Sequence, residues 1–122
     1  MKLRIKGNSI RLRLSQSEID EFIADGQVLD SISFGDASLT YQLQSADRYS
    51  AVFIDQKVVV SVPASVGTEW ANSDQVEMKN TLSIRTGEEL YILIEKDFKC
   101  LTDRPNEDES DLFENPLNKH DC

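Results

Sequence analysis

Five basic side chains alternate with apolar ones near the start of the sequence: Lys2, Arg4, Lys6, Arg11 and Arg13. Basic groups two residues apart on a strand point the same way. A cluster of them suits carboxylate or phosphate oxygens. A second set lies at the other end. Cys100, His120 and Cys122 are all the thiols and imidazole in the chain. With a carboxylate such as Asp121 they make a zinc-type donor set. The competing reading is two unpaired thiols and a surface histidine, because the spacing matches no zinc knuckle.

The residue types exclude more than they offer. A triad or a histidine general base would have to use His120, on a tail. There is no phosphate-cradling loop, dinucleotide fingerprint, His-Glu-x-x-His or Cys-x-x-Cys. An enzyme is therefore not expected, and no cofactor other than the zinc alternative. The acidic run Asn106–Asp111 lacks the alternating ligands and central glycine of an EF-hand. It suits a solvated charge run, or a clamp on the basic face. Trp70, Tyr41, Tyr49 and Tyr91 could form a platform for stacking bases. They come from separate elements, so core packing is the better reading for Trp70, Tyr41 and Tyr91. Tyr49, beside Arg48, is expected to be exposed.

The elements that must position the basic groups follow from local signals. Gly7-Asn8 suits a two-residue II′ hairpin turn. It sets Lys2 opposite Arg13, Leu3 opposite Leu12, Arg4 opposite Arg11 and Ile5 opposite Ile10. Leu3, Ile5, Ile10, Leu12 and Leu14 then share a face that is expected to be buried. The five cations share the other face. Facing like charges destabilise the ladder by a few tenths of a kcal/mol, roughly. The chain's own acids, a partner or phosphate would relieve them; the competing reading is that the five long side chains splay into water. Ser15 and Glu18 have capping-box spacing, Ile19, Phe22 and Ile23 form an apolar stripe, and Gly26 fits a helix end. A second hairpin about Gly35-Asp36 sets Ile32 against Leu39 and Val28 against Leu43.

The same order then recurs. A shift of 48 positions lays Gly7-Asn8 on Asp55-Gln56, Ile10, Leu12 and Leu14 on Val58, Val60 and Val62, and Phe22 on Trp70. Pro63 fits the first position of a helix, poorer than the first and with Gly67 inside it. A closing hairpin turns at Thr86–Glu89. Two tandem strand–strand–helix–strand–strand units are expected, at about 2–44 and 50–98. Val52, Ile54 and Val59 make the first hairpin of the second unit apolar on both faces, so it is expected to be central and covered. The fold class is α+β: antiparallel and β-rich, a barrel or layered sheets, with two short helices. Residues 1–100 form the duplicated domain and 101–122 an acidic tail. Leu101, Leu112, Phe113 and Leu117 are the residues by which the tail would lie on the body; the alternative is a disordered tail.

Composition bounds the partners. The formal charge is −9 over 122 residues, which opposes DNA and anionic membranes at long range. No apolar run has the length of a membrane span. The chain enters an alternating strand at once, and it has two cysteines, so a cytoplasmic location with reduced thiols is expected.

Two resemblances add to this. The segment KGNSIRLRLSQSEIDEFIADGQVLDSISFGDASLTYQL, within residues 2–43, resembles the swapped-hairpin domain of the AbrB and MazE type through Gly7, Asn8, Ser9, Arg13, Ile19 and Phe22. That family interleaves two chains into a barrel and binds DNA. The resemblance implies a barrel made by two fused units, and a DNA-binding regulator or antitoxin. It departs at Leu14-Ser15, where the family has Ile-Pro. The end segments KLRIKGNSIRLRL and EDESDLFENP resemble a small bacterial family with no assigned function. This implies that the tail is part of the design. The reading is a non-catalytic interaction module of a bacterial cytoplasm, monomer or homodimer. Its contact surface would be Lys2, Arg4, Lys6, Arg11 and Arg13, and its partner an unknown protein or an anionic ligand.

Overall fold

A computed structural model of the chain describes residues 1–98 and 110–114. Among these residues it has eight strands and two helices. The strands are β1 (Lys2–Lys6), β2 (Ser9–Leu14), β3 (Gln27–Ser33), β4 (Ser38–Ala46), β5 (Ser50–Ile54), β6 (Lys57–Pro63), β7 (Glu77–Arg85) and β8 (Glu88–Lys96). The helices are α1 (Gln16–Asp25) and α2 (Ala64–Ala71).

Local chemistry explains most of these boundaries. The β1–β2 hairpin has the predicted register, Lys2 opposite Arg13 through Lys6 opposite Ser9. Gly7 alone supplies a positive φ at that turn (57°), the II′ pattern. At the matching turn Asp55 and Gln56 both take positive φ, 51° and 61°. That is the I′ pattern, imposed on two residues with side chains. Helix α1 begins at a complete Ser15/Glu18 capping box and ends on Gly26 at φ 75°. Helix α2 starts one residue later than Pro63 suggests, because Pro63 closes β6 and acts as the N-cap.

The long-range arrangement is an exchange. One sheet has the order β1-β2-β8-β7, the other β3-β4-β6-β5. Each sheet thus takes one hairpin from residues 2–46 and one from residues 50–96. The inner pairs, β2 with β8 and β4 with β6, are parallel. Both sheets are therefore mixed rather than purely antiparallel. Among the described residues they form two open layers, not the closed barrel implied by the swapped-hairpin resemblance.

Two matching rows fill the core: Leu3–Leu12–Ile94–Met78 in the first sheet and Ala51–Val60–Leu43–Val28 in the second. Leu12, Ile94, Met78, Val60, Leu43 and Val28 are all buried. Phe22 of α1 and Trp70 of α2 meet edge to face, with ring centroids 6.5 Å apart. Such a pair adds about 0.5–1.5 kcal/mol beyond its buried area. Gly67 makes room for it: a Cβ there would come within 3.0 Å of the Phe22 ring. The weak helix former thus stands where α2 packs against Phe22.

Two burial expectations are corrected. Ile5 is largely exposed, because the tip of the β1 edge overhangs the core. β5 is an edge strand, not a central one, and Val52, Phe53 and Ile54 are exposed.

Candidate functional site: the outer face of the first sheet

Register across the first sheet sorts its outward side chains into three rows. The first is Lys2, Arg13, Glu95 and Glu77; the second Arg4, Arg11, Leu93 and Lys79; the third Lys6, Ser9, Tyr91 and Thr81. All five predicted cations therefore share one face, but their surroundings differ.

The first row is compensated from within the chain. Arg13 Nε donates to Glu95 Oε1 at 2.6 Å. Lys2 Nζ lies 3.0 Å from Asp97, whose side chain is almost fully buried. The chain's own acids thus relieve the Lys2/Arg13 repulsion, and these two cations are structural. Arg11 is intermediate, 3.7 Å from the same Glu95 oxygen.

The second and third rows are compensated only in part. Among the described residues Arg4 and Lys6 form no ion pair. Sequence reasoning missed two members of this surface. Lys79, on β7, is three-quarters exposed and only 3.8 Å from Glu77. Tyr91, on β8, is 53% exposed rather than in the core. Alternation along β8 shows why: Ile92 and Ile94 point inward and are buried, which turns Tyr91, Leu93 and Glu95 outward. Arg11, Lys79, Thr81, Tyr91 and Leu93 line a shallow concavity of about 440 Å³. Arg4, Lys6, Ser9 and Arg11 line a smaller one beside it. Four cations thus surround an apolar and hydroxyl-bearing floor.

The same face of the second sheet shows that this is not a property of the fold. Its rows are Gln27–Gln44–Ser61–Ser50 and Leu29–Gln42–Val59–Val52. Gln42 donates to Gln44 at 2.9 Å, and Gln44 donates to Ser61 at 3.0 Å. That surface carries one cation, Lys57 in the row Ser31–Thr40–Lys57–Ile54, and its glutamines bond within the face.

The described part of the acidic tail lies on α1 and beside Asp97, the partner of Lys2. Gln16 N–H donates to the Asp111 carbonyl at 3.0 Å, and the Asp111 carboxylate accepts from Ser17 N–H and Oγ–H. These side-chain bonds from Ser17 and Ser15 hold the Asp111 carboxyl below its ordinary pKa. Leu112 is buried, and Phe113 N–H donates to the Asp97 carbonyl at 2.8 Å. Leu112 and Phe113 thus lie on the body as expected. Leu101, Leu117 and the other tail acids up to Glu109 are outside the described residues.

The Phe113 contact covers a buried cation. Lys96 Nζ donates to the Ser73 carbonyl at 2.7 Å and sits 5.5 Å from the Phe113 ring centroid and 6.0 Å from that of Trp70. Burial lowers its pKa, and Asp74 partly opposes the shift. The other aromatics form no platform. Tyr41 donates to the Met1 carbonyl at 2.8 Å, and burial, then Asp30 and Glu18, raises its pKa. Tyr49 is half-buried against the core, contrary to expectation, and burial raises its pKa too.

Cys100, His120 and Cys122, the expected zinc donors, lie outside the described residues. Among the described residues no three His, Cys, Asp or Glu side chains gather as a metal site, and no helix is long and apolar enough to cross a membrane.

Fold and surface together define a class: an α+β domain of two interleaved mixed sheets with one cationic sheet face. The chain belongs to the family of unknown function DUF7009, whose model matches residues 1–117. The match takes in both end segments, KLRIKGNSIRLRL and EDESDLFENP. No curated protein and no solved structure matches the chain.

Proposed function

We propose that this protein is a non-catalytic binding module of a bacterial cytoplasm that takes an anionic partner on the outer face of its first sheet. The partner is an acidic protein segment or a phosphate-bearing ligand. The observation that carries the reading is the middle of that face: Arg4, Lys6, Arg11 and Lys79 around Leu93 and Tyr91, with Arg4 and Lys6 unpaired among the described residues. Tyrosine and arginine are suited to binding surfaces, since each gives large contact area together with a polar handle. The charge of −9 does not prevent this. Fields from distant acids are screened within about 8 Å at physiological ionic strength, so a ligand at the face meets the local cations.

The test is binding of a labelled polyglutamate peptide to the full chain, beside the Arg4→Glu and Lys6→Glu variants. The reading expects salt-sensitive binding that each variant weakens by about tenfold, a change on the order of 1.4 kcal/mol. Equal binding by wild type and both variants contradicts it. Duplex DNA bound more tightly than the peptide, with affinity falling steeply as salt rises, would favour the DNA-binding regulator instead.

A further inference from the structure

The four sheet edges are not equally protected. β1 carries Lys2, Arg4 and Lys6, β7 carries Glu77, Lys79 and Arg85, and β3 carries Asp30. Charged side chains on an edge strand discourage another strand from pairing with it. β5, Ser-Ala-Val-Phe-Ile, carries none. Its position in the second sheet matches that of β1 in the first, so the difference is one of sequence rather than of location. Val52 is 53% exposed, Phe53 71% and Ile54 61%. Among the described residues only β6 pairs with β5, so the other side of its backbone is open.

We propose that β5 is a homodimer interface, at which the β5 strands of two copies pair antiparallel and join two four-stranded sheets into one of eight. A copy fits this edge for two reasons. The first is size. A two-fold axis through Val52 sets Val52 against Val52 of the partner subunit and each Phe53 against the other chain's Ala51, a large side chain against a small one. Val52 and Val59, neighbours on the outer face, would then continue into the same pair of the other copy as an apolar stripe. The second is charge. The chain enters β5 through Asp47-Arg48 and leaves it through Asp55 and Lys57. Antiparallel pairing brings the start of one strand to the end of the other. Each acid then approaches a base of the other copy, and no end meets only its own sign. The contact is symmetric and closed, so assembly stops at two.

This interface is separate from the basic face, and its test reads mass rather than ligand binding. Sedimentation velocity of the full chain should show a dimer that dissociates on dilution. Val52→Lys, which sets two lysines face to face, should raise the dimer Kd by about tenfold or more with an unchanged circular-dichroism spectrum. Phe53→Glu is the second variant; that residue is mostly exposed in the single chain, so the fold tolerates its loss. Arg4→Glu should leave the dimer intact. A wild-type monomer at about 1 mM chain, where contacts of millimolar Kd half-form, would overturn the proposal. So would a dimer that neither β5 variant weakens.

Discussion

At the scale of single residues, three positions hold strain or compensation that substitution can expose. Gln56 sits at φ 61° without glycine's freedom, and left-handed conformation costs a side-chain-bearing residue about 1–2 kcal/mol. Its carbonyl also accepts from Thr40 N–H at 3.0 Å, which holds the turn in place. Gln56→Gly should stabilise the fold by about 1 kcal/mol, read from the midpoint of urea unfolding; an unchanged midpoint would mean that the turn is unstrained. Gly67 makes the opposite case. Alanine there gains about 1 kcal/mol of helix propensity, but its Cβ presses on Phe22, which is fully buried against Trp70. Overpacking typically costs about 1–3 kcal/mol, so Gly67→Ala should be net destabilising. A rise in melting temperature would show that Phe22 yields freely. Lys96 is a matter of pH. Burial lowers its pKa in the folded state, so between the folded and unfolded pKa values the unfolded chain binds more protons. Stability should therefore rise as pH climbs through that window. Lys96→Met should flatten the rise, and the same slope in both proteins would assign it to another group.

At the scale of elements, what the sequence made legible was local. The Gly7-Asn8 and Gly35-Asp36 turns carried their strand registers with them, and Leu3 opposite Leu12 and Val28 opposite Leu43 stand as read. Ser15, Glu18 and Gly26 marked both ends of α1 because capping is a contact between near neighbours. The parallel pairs had no such marker. Ser9 lies beside Tyr91, some eighty positions away, and nothing near either residue reports the other. Two errors followed from that gap. Tyr91 was expected inside, although it alternates with the buried Ile92. β5 was expected to be covered, because apolar residues on both faces suggest burial as readily as an open edge. Half of the candidate surface was hidden for the same reason, since Lys79 and Tyr91 reach the basic hairpin only through the β2–β8 pairing. One element-level prediction concerns the tail. Asp111 is held ionised by Ser17 and Ser15 at the start of α1. A depressed carboxyl pKa adds stability above the unfolded value and loses it as pH falls through the folded one. Asp111→Ala should speed amide exchange at Gln16 and Ser17, selectively near neutral pH. Equal exchange in the two proteins would leave the tail's anchoring to Leu112 and Phe113.

At the scale of the whole molecule, the exchange of hairpins places charge. β1 and β2 bring five cations to the first sheet, while β7 and β8 bring Glu77 and Glu95 to one end of them and Lys79, Leu93 and Tyr91 to the rest. One end of the face is neutralised and the other stays cationic. The equivalent surface of the second sheet holds bonded glutamines, apolar residues and one cation, Lys57. The most direct test of this account is amide chemical-shift mapping of the full-length protein on addition of a short polyglutamate peptide at low salt. The account predicts shifts concentrated at Arg4, Lys6, Arg11, Lys79 and Tyr91, with little change along Gln27, Gln42 and Gln44. Shifts spread evenly over both sheets, or absent from the first, would contradict it.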